Sequence, residues 1–293
     1  MLVVLALCAV GCGSRQRPLG AILFSHGTDG DIFETAPVRG GRLRRLTNLP
    51  GAQLDPSWSP DASKIVFRDS RRGINVDDEI SVMDADGSNV RNLTRNPAND
   101  WSPAWSPDGK RIVFASERSA PLSLWTMRAD GSLPTRLTDG IDEYPAWSPD
   151  GQWIAYGHDL PQSDIWLVRP DGSDGHALTH SLDPEWLPAW SPSGDRIAFV
   201  RGYEGHTAIW VMNADGSGQQ RLTRGRRDMA PAWAPDGKRL VFSRDGILQM
   251  MDADGDHGES LGVEGELPSW GDPTGAGRGA LNRLDRPGVG AAG

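Results

Sequence analysis

Short apolar runs recur along this chain, each three to five residues long and each set between polar turns. One series reads Ile65-Val66-Phe67, Ile112-Val113-Phe114, Ile154-Ala155-Tyr156, Ile197-Ala198-Phe199 and Leu240-Val241-Phe242. A second series follows the first, from Ile80 to Met83, Leu124 to Met127, Ile165 to Val168, Ile209 to Met212 and Ile247 to Met251. Runs this short, rich in β-branched and aromatic residues, predict strands and not helices. Their apolar residues are consecutive instead of alternating, so both faces of each sheet should be buried.

The polar punctuation has a period. A Pro-x-Trp element recurs at Trp58, Trp105, Trp147, Trp190, Trp233 and Trp270, with spacings of 47, 42, 43, 43 and 37 residues. After the Trp comes a turn: SPDA, SPDG, SPDG, SPSG or APDG. The second apolar run ends at an Asp-Gly pair, a strong hairpin signal, at Asp86-Gly87, Asp130-Gly131, Asp171-Gly172, Asp215-Gly216 and Asp254-Gly255. Each unit closes on Leu-Thr, as at Leu93-Thr94 and Leu137-Thr138, except the last, which has Ser260-Leu261. A period in this range marks a repeat architecture, here with four strands per unit. Proline two before each Trp suits an edge strand, because it has no N–H to give to a ladder. Residues 20–47 supply the last three strands of a unit, and Pro268-Ser269-Trp270 is a first strand without followers. Joined, they complete a ring. The prediction is an all-β, six-bladed β-propeller over residues 20–273, closed by N- and C-terminal strands that share one blade.

Composition narrows the class. The chain has 293 residues, with 12 Trp, 36 Gly and 22 Pro, as a turn-rich all-β protein would. Net charge is −9, which disfavours nucleic acid and suits basic peptides or cations. Two cysteines, Cys8 and Cys12, both precede the repeat, so the propeller body is expected to hold no disulfide and no cysteine metal site. Leu2 to Gly11 is an apolar run too short to span a bilayer, and it fits a signal-peptide core over residues 1–11. Ala9-Val10-Gly11-Cys12 resembles a bacterial lipobox, which would make Cys12 the lipidated residue and 12–19 a tether. Plain secretion and an N-terminal strand are the alternatives. Residues 274–293 read as a disordered Gly-rich tail.

The repeat Pro145-Ala146-Trp147-Ser148-Pro149-Asp150-Gly151, followed by an apolar strand, A-D-G-S and L-T, resembles the TolB-type, WD-repeat-like propeller family over residues 20–272. The resemblance implies a noncatalytic, periplasmic protein that binds a protein partner, as in the Tol–Pal system of the outer envelope. Family members of that system carry an α/β domain before the propeller. Here only residues 13–19 separate Cys12 from the first strand, so a TolB-like chain lacking that domain is expected. The expected partner is an envelope protein or peptide, the expected state a monomer, and membrane contact is expected through the lipid anchor alone.

Catalytic motifs add little. No G-x-S-x-G elbow is present. Asp252-Ala253-Asp254-Gly255-Asp256-His257 resembles the start of a calcium loop but has His257 where glycine is required, and reads better as a hairpin turn. His26 and His158 fall in opposite blades and read as surface histidines. The recurrent Trp residues read as interblade packing. Trp101 and Trp186, four before a core Trp, break the repeat and divide between partner contact and rim packing. Five residues before the core Trp stand Asp100, Asp142, Glu185 and Asp228, with Gln53 and Gly265 in the other units. These four carboxylates are expected to form a partial ring at the channel mouth, either fixing interblade loops or attracting a basic peptide end or a cation such as calcium. No cofactor is expected otherwise. Two alternatives to a protein-binding module are a carbohydrate or peptidoglycan binder, and a lactonase- or quinoprotein-like enzyme with a channel metal or cofactor.

Overall fold

A computed structural model describes residues 20–272 apart from 27–29, 72, 74, 160–162 and 204. Cys12, with the leader, tether and tail expectations, lies outside the described residues. Among those described, every regular element is a strand, and the strands form six four-stranded antiparallel sheets. Each sheet follows chain order from an inner strand to an outer one, except the closing sheet. There, Glu266–Gly271 pairs with Ala21–His26, which pairs with Asp31–Thr35 and then Arg44–Arg45. The register sets Ile22 opposite Trp270 and Leu23 opposite Ser269, so the two ends of the repeat are joined by ladder hydrogen bonds. We number this closing sheet blade 1. Blades 2 to 6 begin at the inner strands Ala52–Trp58, Asp100–Trp105, Asp142–Trp147, Glu185–Trp190 and Asp228–Trp233.

The core lies between blades. Phe24, Phe67, Phe114 and Phe199, from the second strands, are fully buried. The Trp of one blade packs on its neighbours: Trp105 sits with Val66 and Val82 of blade 2, and Trp270 with Val241 and Leu248 of blade 6. Both sheet faces are therefore covered, as the consecutive apolar runs require.

The repeated polar motifs hold turns and seams. Ser59, Ser106 and Ser148 Oγ each donate to the Asp two residues on and accept the amide of Lys64, Arg111 or Trp153. In the Leu-Thr element, Thr94, Thr138, Thr179 and Thr223 Oγ1 accept the amide of Ile80, Leu124, Ile165 or Ile209 at 2.9–3.0 Å, which finishes the third strand. The Asp-Gly turns reach across the seam. Gly131 has φ 88°, and a Cβ there would lie 2.6 Å from the Leu93 carbonyl oxygen of the preceding blade. Only glycine allows both that backbone and that approach.

Candidate functional site

The inner strands line an axial cavity of about 800 Å³. In every blade the residue before the Pro-x-Trp proline has left-handed backbone: Asp55, Ser102, Tyr144, Leu187, Ala230 and Leu267, with φ between 49° and 54°. Register shifts between the inner and second strands fall at these positions, so each is a β-bulge. A bulge bends the strand and re-aims a side chain, and the proline that follows has no amide to lose. All six residues line the cavity. Their chemistry divides by arc. Asp55, Ser102 and Tyr144 stand on consecutive blades, and Leu187, Ala230 and Leu267 on the other three. The Ser102 amide donates to Asp55 Oδ2 at 3.2 Å. Burial raises the Asp55 carboxyl above its ordinary range, against the field of Arg68. Glu143, next to Tyr144, is also raised by burial, and a hydrogen bond from Trp101 opposes the shift.

The two faces of the ring differ. One carries the S-P-D-G and A-D-G-S turns, and the cavity extends to their prolines Pro60, Pro107, Pro149, Pro192 and Pro235. The other carries the variable loops. There a second cavity of about 500 Å³ lies beside Trp186, with Arg227, Met229, Asp245 and Glu266 on its walls. Ala230 and Leu267 border both cavities, so the bulge ring separates them.

The expected acidic ring takes another form. Asp100, Asp142, Glu185 and Asp228 do stand at the loop-face end of the inner strands, but each is at most 1% exposed. Arg118 Nη2 lies 2.6 Å from Asp100, His158 Nδ1 2.6 Å from Asp142, and Arg244 Nε 2.5 Å from Asp228, while Arg201 pairs with Glu185. In three blades the carboxylate's partner also contacts a third-strand Trp: Arg118 over Trp125 at 5.0 Å, Arg201 over Trp210 at 4.1 Å, and the His158 ring against Trp166 at 4.5 Å. The carboxylates thus tie inner to second strand and present no open negative ring. A solvent cation would have to compete with these partners. Burial pushes Asp100 up to about 6 and raises Glu185, while the paired arginines pull the other way. His158 is accordingly a strand clamp and not a free surface histidine, and His26 Nδ1 donates to the Glu264 carbonyl at 2.7 Å. The signal for the clamps was in the chain: an Arg or His follows the acid by 16 residues in three blades and by 18 in the fourth. That offset is the span of the hairpin that joins inner to second strand.

Trp101 packs at the rim with Val113 and Ala115 of its own blade. Trp186 packs on blades 5 and 6 and borders the loop-face cavity. Among the described residues no three His, Cys, Asp or Glu side chains are grouped so as to hold a metal ion. The Asp252–His257 turn is a hairpin, with Gly255 N donating to Asp252 O at 2.9 Å.

Comparison with known proteins decides the family. The TolB beta propeller domain model matches residues 35–139 and 120–274. The chain belongs to the TolB beta propeller domain family. A Tol-Pal system protein TolB from Nitratidesulfovibrio vulgaris is 54% identical over 37 residues, a match covering 13% of this chain and 8% of that protein. TolB from Acinetobacter baumannii superposes with a TM-score of 0.74 at 21% identity, covering 86% of this chain and 66% of that one. A putative TolB from Agrobacterium tumefaciens gives 0.66 at 28% identity, covering 74% and 83%. The shared part is the propeller. In this TolB beta propeller the recurrent Pro, Trp, Ser, Asp and Thr positions are accounted for by bulges, turns and seams, which leaves the loops and the side chains of the bulge ring to differ from blade to blade.

Proposed function

We propose that this chain is a noncatalytic TolB-like propeller of the cell envelope that binds a protein or peptide partner on its loop face, at the channel mouth. One observation carries the reading: the loop face holds a walled cavity that mixes Trp186 and Met229 with Arg227, Asp245 and Glu266. Aromatic and Arg side chains around an apolar depression are what protein recognition uses. Trp101 and Trp186 are the proposed contacts. Asp100, Asp142, Glu185 and Asp228 hold the strands beneath them. A glycan-binding reading would need open aromatic faces, whereas Trp58, Trp105, Trp233 and Trp270 are at most 9% exposed and Trp147 and Trp190 are half-buried. The family supports an envelope location, and the leader and lipobox-like residues support export with a lipid anchor on Cys12.

A photo-reactive amino acid placed at 186 or 101 and activated in intact envelopes should give a discrete crosslinked species, and one at 108 on the turn face should not. Adducts from 108 and none from 186 would contradict the loop-face site. For the anchor, Cys12→Ser should abolish labelling by a palmitate analogue, and Cys8→Ala should not. Unmodified Cys12 in soluble wild-type protein would overturn it.

A further inference from the structure

Blade 1 departs from the repeat on the turn face. In blades 2 to 6 the third and outer strands are joined by an acidic Asp-Gly turn, in which Asp86, Asp130, Asp171, Asp215 and Asp254 each accept an amide two residues on. Blade 1 instead runs Ala-Pro-Val-Arg-Gly-Gly-Arg-Leu over residues 36–43, between Asp31–Thr35 and Arg44–Arg45. In a chain of net charge −9, residues 36–46 hold four arginines and no carboxylate. Arg44 and Arg45 pair with Glu34 and Asp31. Arg39 and Arg42 are exposed and have no ion-pair partner among the described residues. Beside them Val38 is 51% and Leu43 41% exposed, two of the few large apolar side chains left in solvent.

The loop is held in place. Val38 N donates to Ala36 O at 2.8 Å, Gly41 N to Val38 O at 3.0 Å, and Gly40 N to Leu261 O of blade 6 at 3.1 Å. It therefore presents arginine and aliphatic side chains together at small entropic cost. Its position matters too. Thr35, where the loop leaves the sheet, is the register partner of Ile22, so the loop lies beside the point where the chain enters blade 1 from residues 1–19.

We propose that this loop docks the propeller on an anionic phospholipid surface, with Arg39 and Arg42 on lipid phosphates and Val38 and Leu43 in the headgroup layer. Guanidinium groups are attracted to the negative surface, and exposed aliphatic side chains gain by leaving water. An acidic protein would need a matched apolar pocket for each of these aliphatics, whereas a lipid surface takes both without one. The acidic turns of the other five blades favour an edge-on approach through blade 1. The proposal does not depend on the loop-face partner, because the patch is on the opposite face and its test uses lipid alone.

The test is co-sedimentation of the full chain carrying Cys12→Ser, so that no acyl chain contributes, with vesicles of phosphatidylcholine alone or containing about one-third phosphatidylglycerol. Binding should be roughly tenfold or more tighter to the anionic vesicles, about fivefold arising from each arginine. Arg39→Gln with Arg42→Gln should remove that preference, and Val38→Ser with Leu43→Ser should weaken binding several-fold at unchanged salt dependence. These positions are exposed, so melting temperatures should stay at the parent value. Equal binding to both vesicles, or a preference that survives the arginine changes, would overturn the proposal. So would arginine-dependent self-association without vesicle binding, which would assign the patch to an acidic protein surface.

Discussion

The closing blade and the five continuous blades solve the same packing problem with different parts. Blades 3 to 6 each clamp inner to second strand with a buried acid and an Arg or His side chain; in blade 2 Gln53 stands opposite Asp69 but donates to the Pro50 and Gly51 carbonyls, and Asp69 is held by Arg71 and Ser81. Among the described residues blade 1 has no such clamp: Glu266 is exposed opposite Ser25. It also lacks the Asp-Gly seam turn and carries the basic loop instead. What joins its halves is backbone pairing and the packing of Trp270 on Ile22, Phe24 and Val241. The repeat is thus maintained by polar devices where the chain is continuous, and by apolar burial where the chain ends meet.

The largest expected effect breaks the closing blade. Deleting 266–271 removes Trp270 and opens a ladder edge, which should cost more than about 5 kcal/mol and leave insoluble protein. A cooperative melt equal to that of the full chain would show that the ring is not closed by this strand. Next comes the clamp of a continuous blade. Arg201→Met leaves Glu185 buried and unpaired, which should lower stability in denaturant titration by about 3–5 kcal/mol. Adding Glu185→Gln should restore part of it, and a double variant no better than the single one would refute the clamp.

The seam glycines sharpen the contrast at a smaller scale. Gly131→Ala meets the Leu93 carbonyl as well as an unfavourable φ, and should cost about 2–3 kcal/mol. Gly40→Ala, in the blade 1 loop, has φ 67° but nothing within 4 Å, and should cost about 1 kcal/mol. Equal costs would mean that the seam contact contributes nothing. A further effect depends on pH. Asp100 is raised from 3.8 to about 6, so the folded state holds its proton longer than the unfolded chain does. Its favourable contribution is complete below the unfolded value and is lost as pH rises through about 6. The stability of Asp100→Asn relative to wild type should therefore rise between pH 4 and pH 7, by no more than about 2 kcal/mol. A difference that stays constant across that range would reject the raised value.

The fold was legible because its strands, turns and period are written in residue types: Pro before Trp, Asp-Gly, Leu-Thr. The bulge ring was not, because Tyr144, Leu187 and Leu267 have no chemical preference for positive φ. Their backbone is set by register against the second strand, which no single residue reports. The acids at 100, 142, 185 and 228 were found as a set, with a structural and a recognition role both open, but their Arg and His partners were not foreseen. Their partners lie across a hairpin: His158, Arg201 and Arg244 stand directly opposite on the second strand, and Arg118 just beyond its end. Trp186 was legible as an exception to the repeat, while Arg227, Met229 and Asp245 come together with it only through the adjacency of blades 5 and 6.

The central claim is that partner recognition belongs to the variable loop face and not to the uniform turns. Amide hydrogen exchange of the purified propeller, with and without the partner captured through position 186, tests it most directly. The account predicts added protection in the interblade segments 98–102, 182–187 and 226–229, with no change at the turns 60–62 and 107–109. Protection confined to those turns would contradict it.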